Sequence, residues 1–490
     1  MNNLLRPLTL SGVLLFLGLP LCAPSTAAGD ALPRTVQKAL KHHKLESHAL
    51  SLAAIPLNGP GQTTAYNADV SVNPASTMKL VTTYAALELL GPAHQWQTEF
   101  YADGPIREGV LNGNLYLKGG GDPKLNMEKL WLLLRDLRAH GVQTVSGDLV
   151  LDRSHFVQPQ LPEFDDDGGD ETRPFLVAPD SLLINLNAQR FTTRNELGRV
   201  YISTEPPIES VRIDNRVRSL PATKTCSAWP QVHYKPIRQS DGVTVVVSGE
   251  LAQGCDHQHY LSVLDHASYA GGAVRSIWKE LGGQILGNDR IDAVPEDARM
   301  LVRAQSPALT EIIRDINKYS NNTMAKQLFL SLGAQFRTPA DPDDAMAAQR
   351  VIRQWLARKG IKSSHLVMEN GSGLSREERV SARGMAQLLQ DAWRSPYAAE
   401  FISSMPLAAM DGTMRKRLRS TNVAGKAHIK TGTLNNVRAI AGYSRDINGN
   451  TWAVVAILNH PRPYGASAVL DQVLLDLYQQ PKNQRNTAHR

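Results

Sequence analysis

A serine and a lysine three residues apart open one apolar stretch of the chain, Ser76 and Lys79 in "PASTMKLVTTYAALELLG". The stretch is typical of a helix that follows Pro74 and stops at Gly91. The first amides of a helix lack partners within it, and the helix dipole favours negative charge there. A tetrahedral oxyanion can be held beside Ser76, and Lys79, one turn on, can act as a base if burial and neighbouring cations remove its proton. The alternative is a serine cap followed by a solvated lysine.

The spacing alone does not decide between these interpretations. The same pattern recurs at Ser276 and Lys279 in "SIWK", inside a predicted helix. There the backbone amides are used by the helix itself, so no oxyanion site exists. The second copy serves as an internal control, and on the pair alone the ordinary helix start is favoured.

A second polar motif lies at the junction of two predicted helices, at Ser320 and Asn322 in "YSNN". At such a junction a hydroxyl and an amide can face a cleft. Ser71 and Asn73 repeat the spacing, so this motif is also weak alone.

A third motif, Lys430, Thr431 and Gly432 in "HIKTGT", lies on a predicted edge strand. An extended peptide can pair with an edge strand while the lysine and threonine meet its carboxylate. A glycine leaves room for close approach. The order of the three motifs, and their placement on a helix start, a helix junction and an edge strand, add the specificity that each lacks.

The elements that must position these motifs fall in two outer segments. A helix, two strands and the Ser76 helix lie before residue 97, and helices return after about residue 307. An antiparallel meander follows, "AGKAHIKTG", "VRAIAGYSRD" and "TWAVVAILNH", and then a helix at 466–479. Between them come short alternating strands, including a predicted hairpin around Asn112-Gly113, and one long helix.

We therefore predict an α/β (α+β) fold with an antiparallel sheet between helices and a nested β-rich insert of one or two domains. The predicted catalytic domain comprises 29–96 and 290–482. The insert comprises domain II at 97–195 and 260–289, and a smaller domain III at 196–259. The tail is 483–490.

Residues 1–28 are typical of a secretory signal peptide, with Arg6, a short apolar core and the small residues "STAA". No later stretch approaches the roughly 20 apolar residues that span a membrane. We expect a periplasmic protein with at most peripheral membrane association. The net charge of +7 could suit nucleic acid, but export argues against that partner.

Export also bears on the cysteines. Removal of the signal leaves Cys226 and Cys255, and an even pair in an exported protein predicts a disulfide. The ligand count argues against a metal site despite "CDHQH", since the sequence has no HExxH motif and no paired CxxC motifs. We predict no metal and no cofactor, and expect His257 and His259 in an exposed turn.

Taken together, the three motifs resemble the active-site boxes of penicillin-recognising serine enzymes, "PASTMK", "YSNN" and "HIKTGT". One branch is closest in pattern, the class C low-molecular-mass penicillin-binding proteins, which are D-alanyl-D-alanine carboxypeptidases and endopeptidases. About 240 residues separate Lys79 from Ser320, where that branch carries a large insert. The segment "ENGSGLSR" resembles the family's "DGSGLSR", with Glu369 and Asn370 as a departure. The resemblance implies a β-lactamase-like transpeptidase fold.

The resemblance also implies a role for each matching residue. Ser76 would be the acylated nucleophile and Lys79 its base. Ser320 would relay a proton to the leaving group. The substrate would be held by the side chains or backbone of Asn322, Lys430, Thr431, Gly432 and Thr433, with the amides of Ser76 and Thr433 as the oxyanion hole.

The implied reaction is acyl transfer on peptidoglycan stem peptides. D-Alanine leaves, or a D-alanyl–diaminopimelate cross-link is cut, and β-lactam antibiotics act as covalent inhibitors. A β-lactamase and a non-catalytic peptidoglycan-binding sensor are the alternatives. The oligomeric state stays open, with a homodimer among the choices. The acidic run 165–171 is expected to be a solvated loop, with a site for a diaminopimelate ammonium as the alternative.

Overall fold

The structure is a computed structural model that describes residues 32–160, 164, 172–223, 225–226 and 231–479. The predicted signal peptide, the acidic run 165–171 and the tail 483–490 lie outside the described residues.

The first outer segment contains two helices and two strands. They are α1 (Arg34–His42), β1 (Leu50–Pro56), β2 (Thr64–Tyr66) and α2 (Lys79–Leu90). A 3₁₀ turn, Ala75–Met78, directly precedes α2.

The middle segment, residues 97–305, is rich in short strands. Its described elements are β3 (Gln97–Ala102), β4 (Ile106–Arg107), β5 (Val110–Leu111), β6 (Leu115–Gly119), α3 (Met127–Ala139), β7 (Thr144–Val145), β8 (Leu149–Asp152), β9 (Gln189–Glu196), β10 (Arg199–Glu205), β11 (Val211–Leu220), β12 (Val232–Gln239), β13 (Gly242–Ala252), β14 (Asp256–Leu261), α4 (His266–Glu280), β15 (Gln284–Ile285), β16 (Asp289–Ile291) and β17 (Arg299–Gln305).

The second outer segment is helical and then returns to the sheet. Its elements are α5 (Leu309–Tyr319), α6 (Asn322–Phe336), α7 (Asp344–Arg358), α8 (Ala382–Arg394), α9 (Ala398–Ser404), β18 (Ala427–Leu434), β19 (Val437–Arg445), β20 (Thr451–Asn459) and α10 (Ala466–Tyr478). The predicted meander and the predicted helix junction near Ser320 are both present.

The two outer segments share one antiparallel sheet, in the order β18-β19-β20-β1-β2. Strand β20 is apolar on both faces because helices cover both. Trp452 and Val454 pack into one core with α1 and α10, whereas Ala453 and Val455 pack into the opposite core with α2, α5, α6 and α8. The predicted fold class, an antiparallel sheet between helices, is confirmed.

The middle segment has its own sheets and its own apolar core, which includes Phe100, Leu134 and Trp278. Its sheets have the orders β16-β8-β6-β3-β17, β15-β7-β5-β4, β10-β9-β14 and β11-β13-β12. Strand β17 pairs with β3, so the sheet continues beyond residue 290, where the sequence placed the return to the catalytic domain. The division of the chain into domains stays a prediction.

Three local expectations were wrong. Asn112-Gly113 does not make a hairpin, because β5 pairs with β4 and β7 while β6 pairs with β3 and β8. Two-residue hairpins of the Asn-Gly type need positive φ at both residues, and neither is among the positive-φ positions. Helix α3 was missed. His257 and His259 lie on β14, where both rings stack on Tyr234.

Candidate active site

Ser76 lies in the 3₁₀ turn before α2 rather than in the α-helix itself. The turn is entered through Ala75, whose φ of +45° is uncommon for a residue with a side chain. The Asn73 side chain accepts a hydrogen bond from the Ala75 amide at 2.9 Å and fixes this entry. The turn therefore presents a partly exposed Ser76 while both neighbours are buried.

Lys79 is fully buried and lies against Ser76, with 2.9 Å between its Nζ and the serine Oγ. Its Nζ also donates to Asn322 Oδ1 at 2.7 Å and to the carbonyl oxygen of Ser372. Both of these oxygens can only accept a hydrogen bond. A neutral amine has two N–H donors and one lone pair, so these two acceptors use the donors and leave the lone pair to the hydroxyl of Ser76.

The surroundings of Lys79 favour that neutral form. Burial, together with the positive charges of Lys430 and Lys326, holds the pKa of Lys79 well below its ordinary value. The carboxylate of Glu378 acts in the opposite direction and raises the pKa of Lys79. Because burial is the larger effect, Lys79 has the electrostatic setting of a base.

Ser320 and Lys430 form a second hydroxyl–lysine pair. Nζ of Lys430 donates to Ser320 Oγ at 2.8 Å and to the Thr431 carbonyl at 2.7 Å. Lys430 is fully buried, and burial lowers its pKa to about 7. Ser320 ends α5 in the left-handed conformation, with φ 58°. This conformation breaks the helix and points the next residues into α6.

Asn322 connects the lysine base to the middle segment. While its Oδ1 accepts from Lys79, its Nδ2 donates to the carbonyl of Phe175 at 3.3 Å. The next residue, Thr323, donates to the Val177 carbonyl at 3.2 Å. The short turn at Pro174–Leu176 is thus fixed to the start of α6 and forms part of the rim of the site.

Strand β18 brings the third motif beside Ser76. A Cβ on Gly432 would lie 2.8 Å from the Pro74 carbonyl oxygen and 3.1 Å from the Ser76 nitrogen. Only glycine permits this approach without displacement of the turn. Within the described chain, β18 is an edge strand. The predicted site residues from all three motifs are therefore gathered around one serine.

The backbone of β18 has two differently oriented sets of groups. The Ala427 carbonyl and the Ile429 amide bond outward to the segment 406–408. Because strand residues alternate in direction, the backbone groups of Thr431 and Thr433 point to that same outer edge. This places the Thr433 amide on the side where an added strand would bind.

The chain is similar in sequence to a known family of enzymes. The profile of the D-Ala-D-Ala carboxypeptidase 3 (S13) family matches residues 32–474. A D-alanyl-D-alanine carboxypeptidase of Actinomadura sp. is 32% identical over 394 residues, which cover 76% of this chain and 70% of that protein. The chain belongs to the D-Ala-D-Ala carboxypeptidase 3 (S13) family.

Two further comparisons concern a protein of Haemophilus influenzae and its structure. The D-alanyl-D-alanine carboxypeptidase DacB of that organism is 26% identical over 415 residues, 80% of this chain and 82% of its own. The crystal structure of penicillin binding protein 4 (dacB) from Haemophilus influenzae has a TM-score of 0.75 at 24% identity, and the match covers 91% of this chain and 99% of that one. The structural likeness shows the shared fold. The S13 chain is a serine D-Ala-D-Ala carboxypeptidase, as the resemblance of its three motifs implied.

Sequence reasoning missed Glu378, a fully buried carboxylate of this S13 chain. Its Oε1 accepts from the amides of Glu369, Asn370 and Gly371 at 2.8–3.1 Å, whereas Oε2 is buried with no hydrogen-bond partner. Burial raises the pKa of Glu378. The loop that it holds carries Ser372, whose carbonyl contacts Lys79. The signal that could have found Glu378 is its position eight residues after Asn370, where the sequence departs from the family's "DGSGLSR".

The two control motifs have no comparable setting. Ser276 lies within α4 and Lys279 is exposed. Asn73 is structural, since its Nδ2 donates to the Ser375 carbonyl at 2.9 Å. What separates the active motif from its copy is burial of the lysine, not spacing.

Three findings concern the rest of the S13 chain. The Cys226–Cys255 disulfide is present. Among the described residues, no group of three or more His, Cys, Asp or Glu side chains is placed to hold a metal ion. In the same part of the chain, no helix is both long and apolar enough to cross a membrane.

Proposed function

We propose that the chain hydrolyses D-Ala-D-Ala stem peptides of peptidoglycan through an acyl-enzyme on Ser76, and that it also cuts D-alanyl–diaminopimelate cross-links. The observation that carries the proposal is the set of contacts around Lys79. Two partners that can only accept hydrogen bonds leave the lone pair of a neutral Lys79 directed at the Ser76 hydroxyl.

In the first step Lys79 takes the proton from Ser76 Oγ, and Oγ attacks the carbonyl carbon of the penultimate D-alanine. Negative charge collects on the carbonyl oxygen. The amides of Ser76 and Thr433 would bind that oxygen, and loss of one such donor typically costs about 100–1000-fold in rate.

In the second step the carbon–nitrogen bond breaks, and the leaving amine needs a proton. Ser320 supplies it, and Lys430, 2.8 Å away, replaces the proton on Ser320. Asn322 and the outer edge of β18 would hold the peptide. Water then attacks the ester carbon and gives its proton through Ser320 to the neutral Lys430. Lys79 returns its proton to Ser76 Oγ as the ester bond breaks, so the serine and both lysines are restored.

A β-lactam that carries a carboxylate beside its reactive amide would enter the same way and acylate Ser76. We therefore propose that the chain binds penicillin covalently. A slow release of that acyl group distinguishes this role from a β-lactamase.

The test is digestion of cross-linked and uncross-linked muropeptides with mass analysis of the products. The parent protein should remove terminal D-alanine and separate cross-linked dimers. Ser76→Ala should do neither, whereas Ser276→Ala, the matched control, should behave like the parent. D-Alanine release by Ser76→Ala at the parent rate would remove Ser76 from the mechanism. Turnover of a chromogenic β-lactam many times per second would favour a β-lactamase instead.

We further propose a periplasmic location, reached through cleavage of residues 1–28. The disulfide supports it, because structural disulfides persist in oxidising compartments. Amino-terminal sequencing of the protein from a periplasmic extract should give a start near residue 29. A retained Met1 would contradict the proposal.

A further inference from the structure

Thr413 lies beside the third motif although 18 residues separate it from Thr431. The hydroxyl of Thr431 donates to Thr413 Oγ1 at 2.8 Å. Thr413 is exposed and Thr431 is half-buried, so both hydroxyls can be reached from solvent. Since Thr413 is the acceptor in this pair, its own proton stays available for another partner.

A partly exposed ion pair between Lys318 and Asp411 holds Thr413 in place. The Asp411 carboxylate accepts from Lys318 Nζ at 2.6 Å and from the Leu407 amide at 2.8 Å. Gly412 has φ +52°, and a Cβ there would lie 2.5 Å from the Lys318 carbonyl oxygen. We call the Lys318–Asp411 ion pair the clamp. Because Lys318 is two residues before Ser320, the clamp connects the second motif to the loop that carries Thr413.

The clamp also defines where a peptide can lie. Residues 406–408 bond to the outer edge of β18 at Ala427 and Ile429. Beyond Ile429, no other strand of the described chain pairs with that edge. The loop therefore closes one half of the edge, and Thr413 marks where the open half starts.

The charges near the two hydroxyls suit an anion. Lys318 neutralises Asp411, so the clamp adds no net negative charge that would repel a carboxylate. A hydroxyl that donates to a carboxylate makes a charge-assisted hydrogen bond, about twice as strong as one between neutral groups.

We propose that Thr413 determines specificity for a free carboxyl terminus, with its hydroxyl and that of Thr431 donating together to the carboxylate of the leaving D-alanine. The proposal deepens the proposed function and rests on it. In the free protein the Thr431 hydroxyl donates to Thr413 Oγ1, and the incoming carboxylate replaces that bond with one charge-assisted bond from each hydroxyl.

The test compares an N-acyl-D-Ala-D-Ala peptide with the same peptide carrying a C-terminal amide. Thr413→Val keeps the shape and removes the hydroxyl. It should raise KM for the acid about 10–150-fold, as expected for loss of one hydrogen bond to a charged group. It should leave kcat for the acid, and both kcat and KM for the amide, within twofold of the parent values. Thr413→Ser should restore the preference, and Thr244→Val, which removes a similarly bonded hydroxyl on β13, should change nothing.

The outcomes separate this inference from the function on which it rests. If the parent releases D-alanine and Thr413→Val keeps the full preference for the acid, Thr413 has no part in carboxylate recognition. The same follows if acid and amide hydrolysis fall equally, because that pattern indicates a structural defect. Acylation by penicillin and by its neutral ester gives a second measurement, in which only the acid should react more slowly. A parent protein with no D-alanine release would overturn the function itself.

Discussion

Nζ of Lys430 lies 2.8 Å from Oγ of Ser320, a residue 110 positions earlier in the chain. Neither side chain is placed by local sequence. Ser320 is the residue in left-handed conformation that ends α5. Lys430 lies on β18, the edge strand of the sheet. The pair joins the helical layer to the sheet at the site, and it does so with a fully buried cation.

The burial of Lys430 predicts a trade-off between activity and stability. Lys430→Met should slow D-alanine release at least 100-fold, since the proton relay is lost. It should also stabilise the fold at pH 6 by on the order of 2–4 kcal/mol, because a buried ammonium no longer has to be desolvated.

The sign of the pH dependence follows from the pKa of Lys430, which is about 7 in the folded protein and about 10.4 in an unfolded chain. Between these values the unfolded state binds more protons, so the contribution of Lys430 to stability rises with pH. The stability difference between Lys430→Met and the parent, measured by urea unfolding, should therefore shrink from pH 6 to pH 9.5. A difference that is constant with pH would contradict the lowered pKa.

The lowered pKa of Lys79 predicts how the acylation rate depends on pH on the acidic side of its profile, which we call the acid limb. Lys79 cannot take a proton once it is protonated, so acylation by penicillin should fall as pH decreases through its pKa. Because that pKa lies well below the ordinary value, the rate should reach its plateau at a lower pH than an ordinary lysine allows. Stopped-flow acylation between pH 5 and 10 measures this. A rate that still climbs at pH 10 would refute it, and Lys279→Met should leave the profile unchanged.

Glu378 should tune that acid limb without contact with the substrate. Glu378→Gln keeps an oxygen for the three amides and removes the charge that raises the pKa of Lys79. The acid limb should shift to lower pH. Glu377→Gln is the matched control, since Glu377 is the exposed neighbour. An unchanged limb in Glu378→Gln, with the fold intact by circular dichroism, would restrict Glu378 to a packing role.

The disulfide should matter for stability and little for catalysis. Cys226 and Cys255 are 29 residues apart in the middle segment, and closing such a loop contributes about 3–4 kcal/mol in the chain-entropy model. The variant with both cysteines replaced by serine should melt at a lower temperature. Its D-alanine release at 25 °C should stay within twofold of the parent. A large loss of activity in the folded variant would instead connect the middle segment to the chemistry.

The amino-acid sequence determined the parts of the site that depend on residue type and local pattern. The meander, the helix junction at Ser320 and the edge position of Lys430 follow from periodicity and turn residues, and the three motifs indicated the family. Spacing is identical in Ser76–Lys79 and Ser276–Lys279, so the sequence separated the two pairs only by the predicted position of each serine, at a helix start or inside a helix. The tertiary structure decides which pair is active. Of the two lysines, Lys79 is buried close to other lysines and Lys279 is exposed, and burial lowers the pKa of Lys79.

Contacts between distant segments account for the residues that the sequence did not reveal. Glu378 bonds to backbone amides, and Thr413 is placed by the Lys318–Asp411 ion pair. The partners of these residues cannot be inferred from the local sequence, because an amide carries no side-chain identity and an ion pair can form across any separation. Residue types therefore fixed which chemistry is available, and packing decided which copy of each motif performs it.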